Sequence, residues 1–276
     1  MSCFFIGGVN RSGTTLLQSI LCSDKTTNPL IHEASYLRNI VEAYVFGQQQ
    51  FDEHNKYYFS SAEDLRDFTA RWAREFIEKV RQRYPTAEHI VLKHPPLTPR
   101  FPALFELLSS AGEDVRFFII IRDPRDVAAS LVRVGERLRS QGQSEGATLP
   151  RDMSKLGNYY MRCYTPALSH QDKEYQGHIT LIKYEDLVTN PAPVIENIRR
   201  ASGLRLEDFD ETAKWKGDEI DYTGLRKSNN AWLSELWGKQ LSNKRIGSYK
   251  EILTPGEIAV LEDVCAGPLK TFNYNR

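Results

Sequence analysis

The sequence predicts an α/β fold, a single domain over residues 1–276 with a central, mostly parallel sheet flanked by helices. Short apolar segments alternate with amphipathic ones along the whole chain. The segment "VRFFIII", 115–121, has almost no polar alternation, as is typical of a strand buried on both faces of a parallel sheet. No internal repeat, low-complexity tract or linker divides the chain.

The predicted strands are short and apolar, and predicted helices separate them. The strands are Cys3 to Gly7, "HIVLK" (89–93), "VRFFIII" (115–121) and "HITLIKY" (178–184). Strands that alternate with helices in this way favour right-handed crossover connections and a parallel sheet.

The predicted helices have clear ends. Asp123 is expected to cap one helix with Pro124 at its first position, and Thr254 and Pro255 repeat this pattern. Ser60 or Ser61 caps a long helix, with Glu63 or Asp64 completing a capping box and Pro85 ending it. The predicted helices cover Thr14 to Cys22, 60–85, 100–112, 123–138, about 153–169, 191–203 and 254–265. Residues 140–152 are predicted to form a mobile loop, and 207–245 carry no clear signal.

Composition excludes several classes of function. Lys plus Arg and Asp plus Glu both total 36, so a nucleic-acid partner or a general attraction to anionic membranes is not expected. No stretch approaches the roughly 20 apolar residues of a membrane span. The four cysteines, Cys3, Cys22, Cys163 and Cys265, form no CxxC pair and no His/Cys cluster. That usage favours a reducing, cytoplasmic location and argues against structural zinc.

The first candidate site is the segment "FFIGGVNRSGTTLL", residues 4–17, in which Gly8 and Gly13 have the spacing of a P-loop, G-x-x-x-x-G-K-[ST]. A strand, a Gly-rich turn and a helix follow one another, so backbone N–H groups and the helix dipole would face an anion. Thr14 and Thr15 add hydroxyl donors. The alternative is an ordinary corner between a strand and a helix.

The lysine of the P-loop is absent. Thr14 stands at its position, and a basic residue, Arg11, lies inside the loop instead. In P-loop NTPases that lysine grips the β- and γ-phosphates, while a hydroxyl and an Asp hold Mg²⁺. "HIVLK" ends in Lys, and in "FFIIIRD" Arg122 precedes Asp123, so neither is a clean Walker B strand and a magnesium–triphosphate site is poorly supported.

The segment "NRSGTTLL" resembles the 5′-phosphosulfate-binding loop of the sulfotransferases that use 3′-phosphoadenosine 5′-phosphosulfate (PAPS). Many members carry Lys at the Arg11 position, whereas protein-tyrosine sulfotransferases and many bacterial members carry Arg. The resemblance implies a P-loop-NTPase-like sulfotransferase fold. It also implies that the 5′-phosphosulfate is bound by Arg11, Ser12, Gly13, Thr14 and Thr15.

The segment "IIIRDPRDVAAS" resembles the family's second motif. Ser130 lies seven residues after Asp123, close to two helical turns, so these two residues share a helix face. The long side chain of Arg122 and the hydroxyl of Ser130 can therefore converge on one phosphate. In the family the residues matching Arg122 and Ser130 bind the 3′-phosphate. The alternative is a well-capped helix whose arginines only pair with nearby Asp residues.

Two further segments resemble the family more weakly. In "LIKYEDLVTNP" the family's matching tyrosine lies against adenine, which implies that role for Tyr184; a core tyrosine is the alternative. "NKRIGSYKEILTPGE" is similar to the stretch that closes over the 3′-phosphate, with Arg245 and Gly247 as matches and Lys244 as a possible helper. A solvated basic loop is the alternative there.

The resemblance implies in-line transfer of a sulfuryl group from PAPS to an acceptor, leaving 3′,5′-adenosine bisphosphate (PAP). Because the sulfuryl group carries less negative charge than a phosphoryl group, no metal is expected. Arg11 is the first candidate for stabilising the leaving 5′-phosphate. Lys93 is the second, because it ends a strand at the edge where α/β folds bind ligands and "LKHPP" resembles the family's post-strand Lys motif.

Two residues compete as the general base. Glu33, in "LIHEASYL", stands where protein-tyrosine and some carbohydrate sulfotransferases place a catalytic Glu. His94 is the rival because cytosolic sulfotransferases use a His after their Lys, although His94 follows Lys93 one position early. His32 and Glu33 do not form HExxH, which excludes a metalloprotease.

The rival functions are a P-loop nucleotide kinase or other NTPase with a degenerate Walker A loop, and a nucleotide-binding module without turnover. The acceptor is expected to be a small-molecule or glycan hydroxyl, framed by 34–60, 135–160 and 207–245. The aromatic candidates for that pocket, which could equally be core, are Tyr36, Tyr44, Phe51, Tyr57, Tyr159, Tyr160, Trp232 and Trp237. The sequence does not predict an oligomeric state.

Overall fold

A four-stranded parallel sheet forms the centre of the molecule. The computed structural model describes residues 1–143, 150–207, 209–210, 230–232, 234, 236 and 239–274. The strands are β1 (Ser2–Gly7), β2 (Ile90–Lys93), β3 (Asp114–Ile121) and β4 (Ile179–Lys183), in the order β2-β1-β3-β4. All three pairings are parallel, which confirms the predicted α/β class.

Both faces of the sheet are buried. Consecutive residues of β1 and β2 are all buried, and alternate side chains of a strand point to opposite faces. Phe5 pairs with Phe117 in the ladder, and their rings stack with centroids 5.8 Å apart. Phe4 and Phe118 meet edge-on at 5.8 Å within a separate core cluster. The prediction that the third strand is buried on both faces is confirmed.

Helices surround this sheet. They are α1 (Thr14–Leu21), α2 (Ser35–Gln49), α3 (Ala62–Arg83), α4 (Phe101–Ser110), α5 (Pro124–Ser140), α6 (Met153–Leu168), α7 (Lys173–Gly177), α8 (Tyr184–Thr189), α9 (Pro191–Ser202), α10 (Pro255–Val264) and α11 (Ala266–Thr271). Asp123 caps α5 by accepting the Arg125 amide at 2.8 Å, and Thr254 forms a capping box with Glu257. For α3 the cap is Ser61, not Ser60.

α2 has no counterpart among the helices that the sequence predicts. Its buried residues Leu37, Ile40, Val41 and Tyr44 follow helical spacing, but no side chain caps its first turn. The described residues of 207–245 form neither helix nor strand. Within the described ranges, no helix is both long enough and apolar enough to cross a membrane.

The carboxyl ends of the strands meet at one edge of the sheet, where open α/β folds bind ligands. β1 leads into residues 8–13, β2 ends at Lys93, β3 is followed by Arg122, and β4 is followed by Tyr184. Parallel pairing therefore brings together candidate residues from four distant parts of the sequence.

Candidate active site

The loop between β1 and α1 has left-handed backbone at three positions. Gly8 and Gly13 have φ values of 141° and 105°, and Arg11 has φ of 76°, a region that non-glycine residues seldom occupy. α1 begins at Thr14, so the N–H groups of its first turn have no partners within the helix. These N–H groups and the helix dipole make the loop suited to an anion.

Neighbouring side chains hold this loop in place. The amide of Gly8 donates to Thr98 Oγ1 at 2.8 Å, and the amide of Val9 donates to the Tyr164 hydroxyl at 3.1 Å. Ser12 is fully buried, and its hydroxyl donates to the Val9 carbonyl at 2.7 Å. Ser12 therefore ties the turn together, and its predicted contact with a cofactor stays a prediction.

A cleft rich in arginine opens beside the loop. Five arginines line it, and no carboxylate is among its described lining residues. The arginines are Arg11, Arg122, Arg133, Arg137 and Arg245. Burial, and then the charges of Arg137, Arg122 and Arg245, lower the pKa of Arg11 to about 10. A ligand with several negative charges would relieve this repulsion.

The residues predicted to hold a 3′-phosphate lie together in this cleft. Ser130 accepts from Arg11 Nε at 3.0 Å. Arg122 donates to the carbonyls of Arg11 at 3.0 Å and of Arg245 at 2.6 Å. Its Nε is buried and bonds with nothing in the part of the chain that is described. The guanidinium of Arg122 lies 4.4 Å from the ring centroid of Tyr184.

Gly13 and Tyr184 are in close contact. A Cβ on Gly13 would lie 2.7 Å from Tyr184 Cδ2, so only glycine fits between the loop and this ring. Thr14 and Thr15 line the same cleft as Tyr184. The tyrosine predicted to lie against adenine is thus in contact with the loop between β1 and α1.

Gly247 lies in the C-terminal turn, with φ of 70°. Its amide donates to Asp126 Oδ2 of α5 at 2.8 Å, so that N–H group is already engaged. The neighbouring residues Arg245 and Ser248 line the cleft. A direct contact between Gly247 and a 3′-phosphate stays a prediction.

Three predicted catalytic residues form a second cluster. Lys93 Nζ lies 2.8 Å from Glu33 Oε1 and 3.2 Å from Thr15 Oγ1. His94 Nδ1 lies 3.0 Å from Glu33 Oε2. Burial alone would raise the pKa of Glu33, but the hydrogen bond from His94 and the charge and hydrogen bond of Lys93 hold it at about 2. Glu33 is therefore ionised at neutral pH.

Arg11, the fourth predicted catalytic residue, lies apart from this cluster. Its guanidinium donates to Ser130 Oγ and to the Trp232 carbonyl, whereas Lys93 donates to Thr15 in the first turn of α1. The predicted catalytic residues thus lie in two places, Arg11 beside Ser130 of α5 and Lys93 beside Thr15 of α1. Among the described residues, no three His, Cys, Asp or Glu side chains lie close enough together to hold a metal ion.

The aromatic candidates for the acceptor pocket are scattered. Tyr44 and Tyr160 are core residues, and the hydroxyl of Tyr160 donates to the Arg122 carbonyl at 2.9 Å. Tyr159 is half-buried, and burial, followed by charges that include that of Glu33, raises its pKa. Tyr36 and Tyr57 are exposed. Phe51 packs at the edge of the core, and Trp237 lies outside the described residues.

Two arginines of the cleft were not among the predicted site residues. Arg133 and Arg137 follow Ser130 by three and seven positions on α5, which places all three on one helix face. That spacing could have identified them from the sequence. Arg137 donates to the Ala231 carbonyl at 2.8 Å, while no described residue bonds with Arg133.

A family model described as "Sulfotransferase family" matches residues 3–208, which is most of the chain. The chain belongs to the sulfotransferase family. This confirms the resemblance drawn from the phosphate loop and the Arg122 motif, and it favours a transferase over the rival NTPase and non-catalytic binding functions.

Solved sulfotransferases share this fold at low identity. A sulfotransferase domain from the curacin biosynthetic pathway is 17% identical with a TM-score of 0.58, and the match covers 96% of each chain. One from the Synechococcus PCC 7002 olefin synthase is 19% identical with a TM-score of 0.59, covering 100% of this chain and 96% of that one. A Mycobacterium avium sulfotransferase is 16% identical with a TM-score of 0.52, covering 99% and 77%. No curated protein matches the chain.

Proposed function

We propose that this sulfotransferase moves the sulfuryl group of PAPS to a hydroxyl of a small-molecule or glycan acceptor, in line and without a metal. One observation carries the proposal. The arginine-lined cleft is joined to the cluster of Lys93, Glu33 and His94 through Thr15, which lines the cleft and accepts from Lys93. The arginines that could bind an anion and the cluster of Lys93, Glu33 and His94 thus lie beside the same loop, between β1 and α1.

The described residues fit PAPS. Arg122, Ser130 and Arg245 would hold the 3′-phosphate, the N-terminus of α1 with Thr14 and Thr15 would hold the 5′-phosphate, and Tyr184 would face the adenine. The orphaned Nε of buried Arg122 is a donor that such a ligand would satisfy. When bound, PAPS supplies the sulfuryl group and a phosphate leaving group.

Cations at the phosphate loop would stabilise charge on the leaving oxygen. Lys93 is well placed because its ammonium contacts Thr15 at the helix terminus. Arg11 would contribute from the opposite end of the loop, where it contacts Ser130. Positioned donors of this kind typically supply on the order of 10²–10³ in rate.

We assign the general base to Glu33, with His94 as the residue that orients it. The side chain of Glu33 is 41% exposed and can meet an acceptor, whereas His94 is 9% exposed and its Nε2 is shielded from solvent. A carboxylate with a pKa of about 2 is a weak base. Glu33 would therefore take the proton late, once bond formation to sulfur has made the hydroxyl acidic.

The experiment is a calorimetric titration with PAP, AMP and Mg²⁺-ATP. We expect micromolar PAP binding without metal and much weaker AMP binding. Arg122→Ala should remove the preference for PAP, and Ser130→Ala, a smaller change in the same subsite, should reduce it. Tight Mg²⁺-ATP binding with no preference for the 3′-phosphate would overturn the proposal. Release of PAP from PAPS across a panel of phenol, sugar and alcohol acceptors would then define the acceptor.

A further inference from the structure

A buried carboxylate stands beside the arginine-lined cleft. Asp126 belongs to the first turn of α5, and its side chain is 1% exposed. Its Oδ2 lies 3.9 Å from Nη2 of Arg122, the arginine assigned to the 3′-phosphate. It is not among the residues that line the cleft.

This position is unfavourable for anion binding. A negative charge so close to Arg122 partly neutralises the guanidinium and repels a phosphate. Burial also penalises the ionised carboxylate and raises the pKa of Asp126. A carboxylate in this place needs a compensating role.

The hydrogen bonds of Asp126 indicate that role. It accepts the amide of Gly247 at 2.8 Å, the amide of Tyr249 at 3.0 Å and the hydroxyl of Ser248 at 3.3 Å. All three donors belong to one turn, more than 120 residues away in sequence. Bonds from backbone amides to a buried carboxylate are among the stronger hydrogen bonds in proteins.

The turn that Asp126 holds carries Arg245. Arg245 lines the cleft, and its carbonyl accepts from Arg122 Nη2 at 2.6 Å. Gly247, two residues later, has the left-handed φ of 70° that reverses the chain toward Asp126. Asp126 of α5 therefore holds the turn that brings Arg245 to Arg122.

We propose that Asp126 is a positioning residue that gives the site its selectivity for nucleotides with a 3′-phosphate, by holding the turn of residues 245–249 over Arg122. The inference rests on the proposed function, because it assumes that the bound nucleotide carries this phosphate. Asp126 itself touches no ligand.

The substitution Asp126→Asn distinguishes two roles of Asp126, repulsion of the phosphate by its charge and positioning of the turn. The two roles predict opposite changes in PAP affinity. Asn has nearly the same shape, removes the negative charge, and places an NH₂ group against amides that need an acceptor. If the charge were all that mattered, PAP would bind more tightly. If Asp126 positions the turn, PAP should bind at least about tenfold more weakly, since charge-assisted bonds are lost. AMP affinity should stay within about twofold, because AMP lacks the 3′-phosphate.

Matched variants control for charge and for folding. Glu136→Gln removes one negative charge from an exposed position on the same helix and should leave both affinities unchanged. Ser248→Ala removes only the longest of the three bonds and should have a smaller effect than Asp126→Asn. If Asp126→Asn does not fold, Gly247→Ala strains the same turn without a clash, because no atom lies within 4 Å of the added Cβ.

The measured quantity is the ratio of the AMP and PAP dissociation constants, in wild type and in each folded variant. A ratio near one in the wild type would overturn the proposed function. A high ratio in the wild type that Asp126→Asn leaves unchanged or increases would overturn the positioning role alone. Equal loss of AMP and PAP affinity would also overturn it, because that result indicates general damage to the fold.

Discussion

At the residue scale, Glu33 carries two hydrogen-bonding tasks at once. One carboxylate oxygen bonds with Lys93 and the other with His94, so each buried basic side chain depends on the same acceptor. Replacing Glu33 therefore removes the proposed proton acceptor and also alters the hydrogen bonds of Lys93 and His94. It removes the carboxylate that bonds with the buried imidazole and with the buried ammonium, of which, among the described residues, only the ammonium keeps a second bond, to Thr15.

We predict that Glu33→Gln lowers kcat by roughly 10²–10⁴, the usual contribution of a general base. The dissociation constant for PAP should change little, because Glu33 does not line the arginine cleft. His94→Gln should lower kcat less, since His94 acts through Glu33. Single-turnover kinetics with PAPS and an accepted hydroxyl compound would measure both.

The double variant separates the two assignments. If Glu33 is the base and His94 orients it, the double variant should be no slower than Glu33→Gln, because residues that act as a unit are not additive. A severe loss in His94→Gln together with a mild one in Glu33→Gln would move the base to His94.

At the element scale, the strand, loop and helix at the start of the chain were predictable because their signals are local. Gly8, Gly13 and the buried β1 follow directly from the sequence. The packing contact that requires glycine at position 13 could not be predicted from the sequence. It depends on Tyr184, which follows β4, and on the strand order that places β3 and β4 beside β1.

We predict that Gly13→Ala weakens PAP binding at least about tenfold while the protein stays folded. The added Cβ would lie 2.7 Å from Tyr184 and force the ring or the loop to move. Non-glycine residues in left-handed backbone also cost about 1–2 kcal/mol. Calorimetry with PAP and thermal unfolding of the free protein would measure the two effects.

Gly112→Ala is the matched control. Gly112 also has a left-handed φ, 79°, but no atom lies within 4 Å of its Cβ position. This variant should lose only the stability that the left-handed backbone costs, and it should keep its PAP affinity. Equal PAP affinity in both variants would show that the Gly13–Tyr184 contact does not shape the binding site.

The sequence predicts contacts within an element better than contacts between elements. The caps at Ser61, Asp123 and Thr254 could be found because cap and helix are neighbours in sequence. The contact of Glu33 with Lys93 spans 60 residues, and that of Asp126 with Gly247 spans 121. The sequence indicates Glu33 and Lys93 only as separate candidates, and it carries no signal for the contact of Asp126 with Gly247.

At the scale of the whole molecule, charge is balanced in total but segregated in space. Net charge is zero, yet five arginines line one cleft without a described carboxylate among them. They come from positions between 11 and 245, whereas the family match ends at residue 208. Arg245 therefore lies beyond the family match, and the sequence indicates it only through its resemblance to the stretch that closes over the 3′-phosphate.

We predict that PAP affinity falls as salt is raised from about 50 to 500 mM, because the Debye length shrinks below ~10 Å in that range. Arg133→Met should weaken PAP binding on the order of three- to tenfold at low salt and make the salt dependence shallower. Stability should change little, since Arg133 is half-buried and no described residue bonds with it. Arg71→Met, which removes an exposed arginine of α3 outside the cleft, is the control. A salt dependence that is the same in both variants would show that Arg133 takes no part in the field that attracts the nucleotide.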